Sequence, residues 1–242
     1  MMDDSARRRH AAARPAPRPA RPDCPRSIPV LLLLLAVTVL PAPAQTDGRL
    51  QLARLRYSGG GDWYNDPDAL PNLAREVNRR TGARVAPDEV QVSLTDERLY
   101  NYPFLFVTGH GNVGFSEEEA ARLRRFLEAG GFLYADDDYG MDESFRREMK
   151  KVFPQNELVE LPFDHEIYRR PYAFRQGPPK IHEHEEGPPR GFGIFVSGRL
   201  AVYYTYNSNV SDGWTAAHDN PGEVREQAFR MGVNIISYFL GN

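Results

Sequence analysis

The chain has 242 residues, 41% hydrophobic and 26% charged, enough to bury a full core in one domain. Its 30 Lys+Arg against 33 Asp+Glu give a formal charge of −3. With no basic stripe interleaved with aromatics, that balance excludes a nucleic-acid-binding surface.

Residues 1–26 carry seven arginines and three aspartates among prolines and alanines, followed by a 13-residue apolar run, Ile28 to Leu40, and then Ala42-Pro43-Ala44. A basic region, a short apolar core and an A-x-A site predict a signal peptide over residues 1–44, cut before Gln45, and hence an exported protein of the periplasm or cell envelope. The competing reading is an uncleaved anchor, the only membrane contact expected, but a spanning helix needs about 20 apolar residues. Losing the leader leaves 23 basic and 30 acidic side chains, net −7. Cys24, the only cysteine, precedes the apolar run, so it is no lipoprotein acylation site, and residues 45–242 hold no thiol and no disulfide.

Leu50 to Tyr57 reads as a strand that ends at the turn Ser58-Gly59-Gly60-Gly61-Asp62. Leu70, Leu73, Ala74 and Val77 then repeat at helical spacing, with Pro71 near the start and Gly82 as the stop. Val90 to Leu94 predicts a short strand, and Phe104-Leu105-Phe106-Val107 predicts one buried on both faces. Ser116 and Glu119 form a capping box for a helix whose apolar residues are Ala120, Leu123, Phe126 and Leu127. Phe132 to Ala135 is a further buried strand, and Met141, Phe145, Met149 and Val152 mark a helix that Pro154 closes.

Beyond it lies a long proline-rich segment, Leu161 to Arg190, of the kind that carries function or moves. Phe192 to Val196 and Leu200 to Tyr206 flank Ser197-Gly198-Arg199 as a β-hairpin. A last helix begins at Asn220-Pro221-Gly222-Glu223. Strands alternating with helices predict a three-layer α/β/α domain over residues 45–242, with a mostly parallel sheet and a hairpin near the C-terminus.

In such a sheet, ligands bind outside the carboxyl ends of the strands. Three polar loops leave those ends, Gly59 to Tyr64, Thr108 to Asn112 and Asp136 to Asp142, which brings Asp62, Trp63, His110, Asp136, Asp137, Asp138 and Tyr139 to one rim as candidate ligand-binding residues. Adjacent carboxylates repel, so they recruit a cation, raise a pKa or need a donor such as Arg146 or Arg147. Oxygen ligands with an imidazole suit Mg²⁺, Mn²⁺ or Ca²⁺, and zinc becomes plausible with His182 or His184 over the site; the candidate metal set is His110, Asp136, Asp138, His182 and His184. The plainer alternative has the aspartates making turns and capping the next helix, with Asp142 at the N-cap, and the two histidines in a solvated loop. Ser58-Gly59-Gly60-Gly61 lacks the lysine and hydroxyl of a phosphate-binding loop, and Trp63, Tyr64 and Trp214 suit either a sugar or the edge of a core.

Gly60-Gly61-Asp62-Trp63-Tyr64, Phe104 to Asn112, Ala135 to Arg147, Lys180-Ile181-His182-Glu183-His184 and Gly191-Phe192-Gly193-Ile194 together resemble the bacterial domain-of-unknown-function 4159 family from about Leu50 to Leu240. That resemblance implies a fold like class I glutamine amidotransferases, flavodoxin-like and layered, and no assigned activity. Glutaminase chemistry needs a cysteine on a tight strand-to-helix turn. The corresponding turn, near Asp136 to Gly140, has only aspartates and a tyrosine, which excludes that reaction. Two principal expectations follow: a non-catalytic envelope module binding a polar small molecule or an envelope protein, or a metal-dependent hydrolase of a sugar or amide using His110 and Asp136 to Asp138. A third is a scaffold that uses the long loop and acidic surface.

Overall fold

The structure is a computed structural model that describes residues 48–241. The expected signal peptide, its arginines and Cys24 lie outside the described residues. The elements are β1 (Leu52–Arg56), α1 (Ala69–Thr81), β2 (Val90–Ser93), β3 (Phe104–Val107), α2 (Glu117–Glu128), β4 (Phe132–Asp136) and α3 (Asp142–Val152), then β5 (Val159–Glu160), β6 (Arg190–Val196), β7 (Arg199–Tyr206) and α4 (Gly222–Leu240). One seven-stranded sheet has the order β2-β1-β3-β4-β7-β6-β5. The first five strands in that order pair in parallel, and β6 and β5 add an antiparallel edge. Among the described residues no helix is long and apolar enough to cross a membrane.

Strand alternation sends successive side chains to opposite faces, and both faces are covered. Phe104, Phe106, Phe132, Tyr134 and Tyr203 pack with α1 and α4, whereas Leu105, Val107, Leu133, Ala135 and Val202 pack with α2 and α3. Parallel register stacks Phe106, Tyr134 and Tyr203 across three strands at ring separations of 5.7 Å. Helix α2 starts where expected, with both halves of the Ser116–Glu119 capping box made. Leu123, Phe126 and Leu127 are buried on it, each stabilising by roughly 2 kcal/mol.

One local expectation needs correction, and another, the hairpin of β6 and β7, forms as expected but is not the whole of what β7 does. Met141, not Asp142, is the N-cap of α3, and the amide of Met141 donates to Asp137 Oδ1 at 2.9 Å, so the capping carboxylate comes from the preceding strand end. The second hairpin strand, β7, is also more than a hairpin arm. It pairs in parallel with β4 over Leu133 to Asp136, and its carboxyl end therefore opens on the same rim as β1, β3 and β4.

Candidate functional site

The chain goes from β1 outward to β2, then crosses back to β3 on the other side of β1. The carboxyl ends of β1 and β3 are thus a topological switch point, where open sheets leave a crevice. After β1 the loop bends at Asp62 and runs to Asp66, whose backbone is left-handed at φ 49°. Arg54 of β1 fixes it. This fully buried guanidinium donates to the carbonyls of Asn65 at 2.7 Å, Asp66 at 2.9 Å and Trp63 at 3.3 Å while its Nε pairs with Glu89.

After β3, Gly109 allows the next loop to touch Asp62. A Cβ at that position would stand 2.5 Å from the Tyr57 hydroxyl and 2.9 Å from Asp62 Oδ1. His110 is consequently gripped twice by Asp62, whose Oδ1 accepts from the His110 amide and whose Oδ2 lies 3.0 Å from Nδ1. An ionised carboxylate only accepts, so Nδ1 carries a proton. The other ring nitrogen, Nε2, stands 3.3 Å from Asp138 Oδ2.

The three aspartates at the end of β4 separate by direction. Asp136 is fully buried, accepting from the Ser211 amide at 2.6 Å, the Ser211 hydroxyl at 2.7 Å and the Thr205 hydroxyl. Asp137 turns to the other face to cap α3 and accepts from the Tyr204 hydroxyl at 3.1 Å. Asp138 alone reaches the rim, where Asn209 donates to Oδ1 at 2.6 Å and Asn65 donates to Oδ2. The expected cluster therefore keeps one aspartate and turns two inward as anchors.

The long segment brings His182 and His184 over the same rim. His184 Nε2 is 3.9 Å from Asp138 Oδ1 and accepts from Asn209 at 3.3 Å, and its ring lies 4.9 Å from the half-exposed Tyr139. Burial and the neighbouring His182 push its pKa down. His182 Nδ1 is 3.5 Å from Asp212 Oδ2. Trp63 packs partly into the core with its edge against Tyr64, Trp214 is wholly buried, and His165 packs near Phe195 and Tyr238.

Sequence reasoning missed a second group. Asp66, Asp212 and His218 each offer an atom within 4.8 Å of the others. The last two lie between β7 and α4, a loop passed over because β7 was read as a hairpin arm rather than as a parallel strand opening on the rim. Applying the carboxyl-end rule to it would have found both residues. Four of the five histidines among the described residues thus gather here, with Asp62, Asp66, Asp138 and Asp212.

Burial dominates the electrostatics. It raises the pKa of Asp66, Asp138 and Asp212, with their mutual repulsion adding to it, and pushes Asp136 and Asp137 up to about 6. Burial opposes charge on the His218 ring, but the bond to Asp66 and the charge of Asp212 outweigh it and hold that pKa above the ordinary value. A carboxyl whose folded pKa exceeds its unfolded one takes up a proton on folding, so its contribution weakens as pH rises, here between about 4 and 6 for Asp136 and Asp137. His218 acts in the same sense at higher pH, while the lowered pKa values of His165 and His184 act against it. The melting temperature is therefore expected to be about 5 °C higher near pH 5.5 than near pH 7.5 in calorimetry at constant ionic strength. A flat or rising profile across that range would contradict the assignment.

The family model described as "Domain of unknown function (DUF4159)" matches residues 51–240. No curated protein matches the chain.

Proposed function

This chain belongs to the DUF4159 family of unknown function, and from that premise we propose that it is an exported envelope module, glutamine amidotransferase-like in fold, that binds a polar ligand on the rim of its sheet. One observation carries the reading: the rim has more acceptors than donors. Four aspartates converge there; Asn209 Oδ1 is buried without a hydrogen bond, and Asp212 Oδ1 is buried facing only the His218 ring nitrogen, 2.7 Å away, whose aligned bond goes to Asp66. Buried acceptors left so are costly, and a ligand bearing hydroxyl or ammonium donors, or a cation, would satisfy them. The order β2-β1-β3-β4 follows the flavodoxin-like pattern and supports the fold assignment. The leader of residues 1–44 supports export.

Calorimetric titration of the purified protein with polyols, amino sugars and polyamines tests this. One class is expected to bind, and Asp138→Asn to weaken it about 100-fold, since a charge-assisted contact is lost without loss of volume, with circular dichroism establishing that the variant is folded. No binding in any class, or an equal affinity for the variant, would reject the reading.

A second reading, a metal-dependent hydrolase, draws on the way Asp62 orients His110 through both ring and backbone, as a carboxylate orients a general base. Water on a metal ion needs no side-chain nucleophile, so the missing cysteine does not count against it. It requires turnover that His110→Ala abolishes.

A further inference from the structure

The geometry points to a divalent transition-metal site formed by Asp66, Asp212 and His218. It rests on the acceptor-rich rim proposed above and names one occupant of that rim.

The argument starts from a single nitrogen between two carboxylates. His218 Nε2 lies 2.8 Å from Asp66 Oδ1 and 2.7 Å from Asp212 Oδ1. One ring nitrogen carries at most one proton, and the aligned hydrogen bond goes to Asp66. Asp212 is 1% exposed, and its Oδ1 is left without a hydrogen bond although it faces the same point. A dication in place of that proton attracts all three atoms at once, using the ring lone pair and one oxygen from each acid. Ligands about 2 Å from a tetrahedral ion stand about 3.3 Å apart, so loading lengthens each distance from His218 to a carboxylate by roughly half an ångström, within reach of side-chain rotation.

The surroundings hold the ligands from outside. Asp66 sits on the loop whose carbonyls Arg54 grips, and Asn220 donates to the far oxygen of Asp212 at 3.3 Å. Such outer contacts fix the orientation of coordinating carboxylates. His218 is 31% exposed, which leaves an entry path and a coordination position for water. One imidazole and two carboxylates suit Zn²⁺ or Mn²⁺ and disfavour Ca²⁺, which takes six to eight oxygens. None of these three ligands belongs to the set expected from sequence.

Elemental analysis and calorimetry with Zn²⁺, Mn²⁺ and Ca²⁺ on the intact protein decide it. The wild type is expected to take up one Zn²⁺ or Mn²⁺ per chain at this site, with Ca²⁺ at least tenfold weaker. Asp212→Asn and His218→Ala should each lower the Zn²⁺ affinity at least 100-fold and more than the double variant His182→Ala/His184→Ala does, whereas His165→Ala, packed against Phe195 and Tyr238, should change it less than about threefold. Circular dichroism establishes that each variant is folded, and His218→Ala, at a partly exposed position, keeps the test valid if Asp212→Asn unfolds. No uptake, uptake that survives both substitutions, or uptake lost only in the double variant would overturn the site. If the ion fails while an organic ligand still binds, this inference falls alone. If both fail, the rim reading falls with it.

Discussion

Replacing Arg54 with methionine is expected to lower the free energy of unfolding by about 4 kcal/mol, seen as a drop of about 10 °C in melting temperature. Methionine keeps much of the buried stem over the Phe106 ring, which the guanidinium carbon overlies at 5.3 Å. It removes every donor. Glu89 loses two bonds of 3.0 and 3.1 Å, and the carbonyls of Trp63, Asn65 and Asp66 lose theirs. Most of the cost is the carboxylate and carbonyls left without partners, so Arg54→Met/Glu89→Gln should recover part of it. Urea unfolding measures both, and a loss under about 1 kcal/mol for the single variant would show that the loop is held by other means.

Asp136→Ala is expected to cost about 3 kcal/mol and also to loosen the rim, although Asp136 never reaches it. Its carboxylate accepts from the Ser211 amide and the hydroxyls of Ser211 and Thr205 inside the protein. Alanine strands those donors in a site without water access. The Ser211–Trp214 turn that they fix carries Asp212, so ligand or metal affinity should fall together with stability. Asp136→Asn separates volume from charge, because it fills the space yet turns an amide donor toward at least one existing donor, and it too should destabilise. A neutral effect for either variant in thermal unfolding would refute the anchoring role.

Much of the fold was legible because its signals are local. Phe104 to Val107 and Phe132 to Ala135 are continuous apolar runs, and Ser116 with Glu119 announces its helix through bonds made within one turn. The placement of β7 beside β4 depends on a partner some 70 residues away, as the pairing of Ala135 with Tyr204 shows, and no short pattern encodes it. The site was half legible for the same reason. Asp62, His110 and Asp138 follow strands recognisable from their runs, whereas Asp212 and His218 follow the strand whose direction was not recognised. Three consecutive aspartates read as one cluster, but a strand end sends neighbours to opposite faces, which puts Asp136 toward Ser211 and Asp137 toward Tyr204.

The meeting of Asp66 with His218 has a kinetic meaning. These residues are separated by most of the domain, and β1, β3, β4 and β7 must all be in register before the loops that bear them can touch. Contacts so distant along the chain close late, after the entropy of every intervening loop has been lost. A partly assembled chain could thus not present the proposed site, and occupancy of it would report completed assembly. At 100 times its Kd a ligand adds about 2.7 kcal/mol to the native state alone, so the proposed binding would work as a latch on a finished structure and slow unfolding rather than guide the chain toward it.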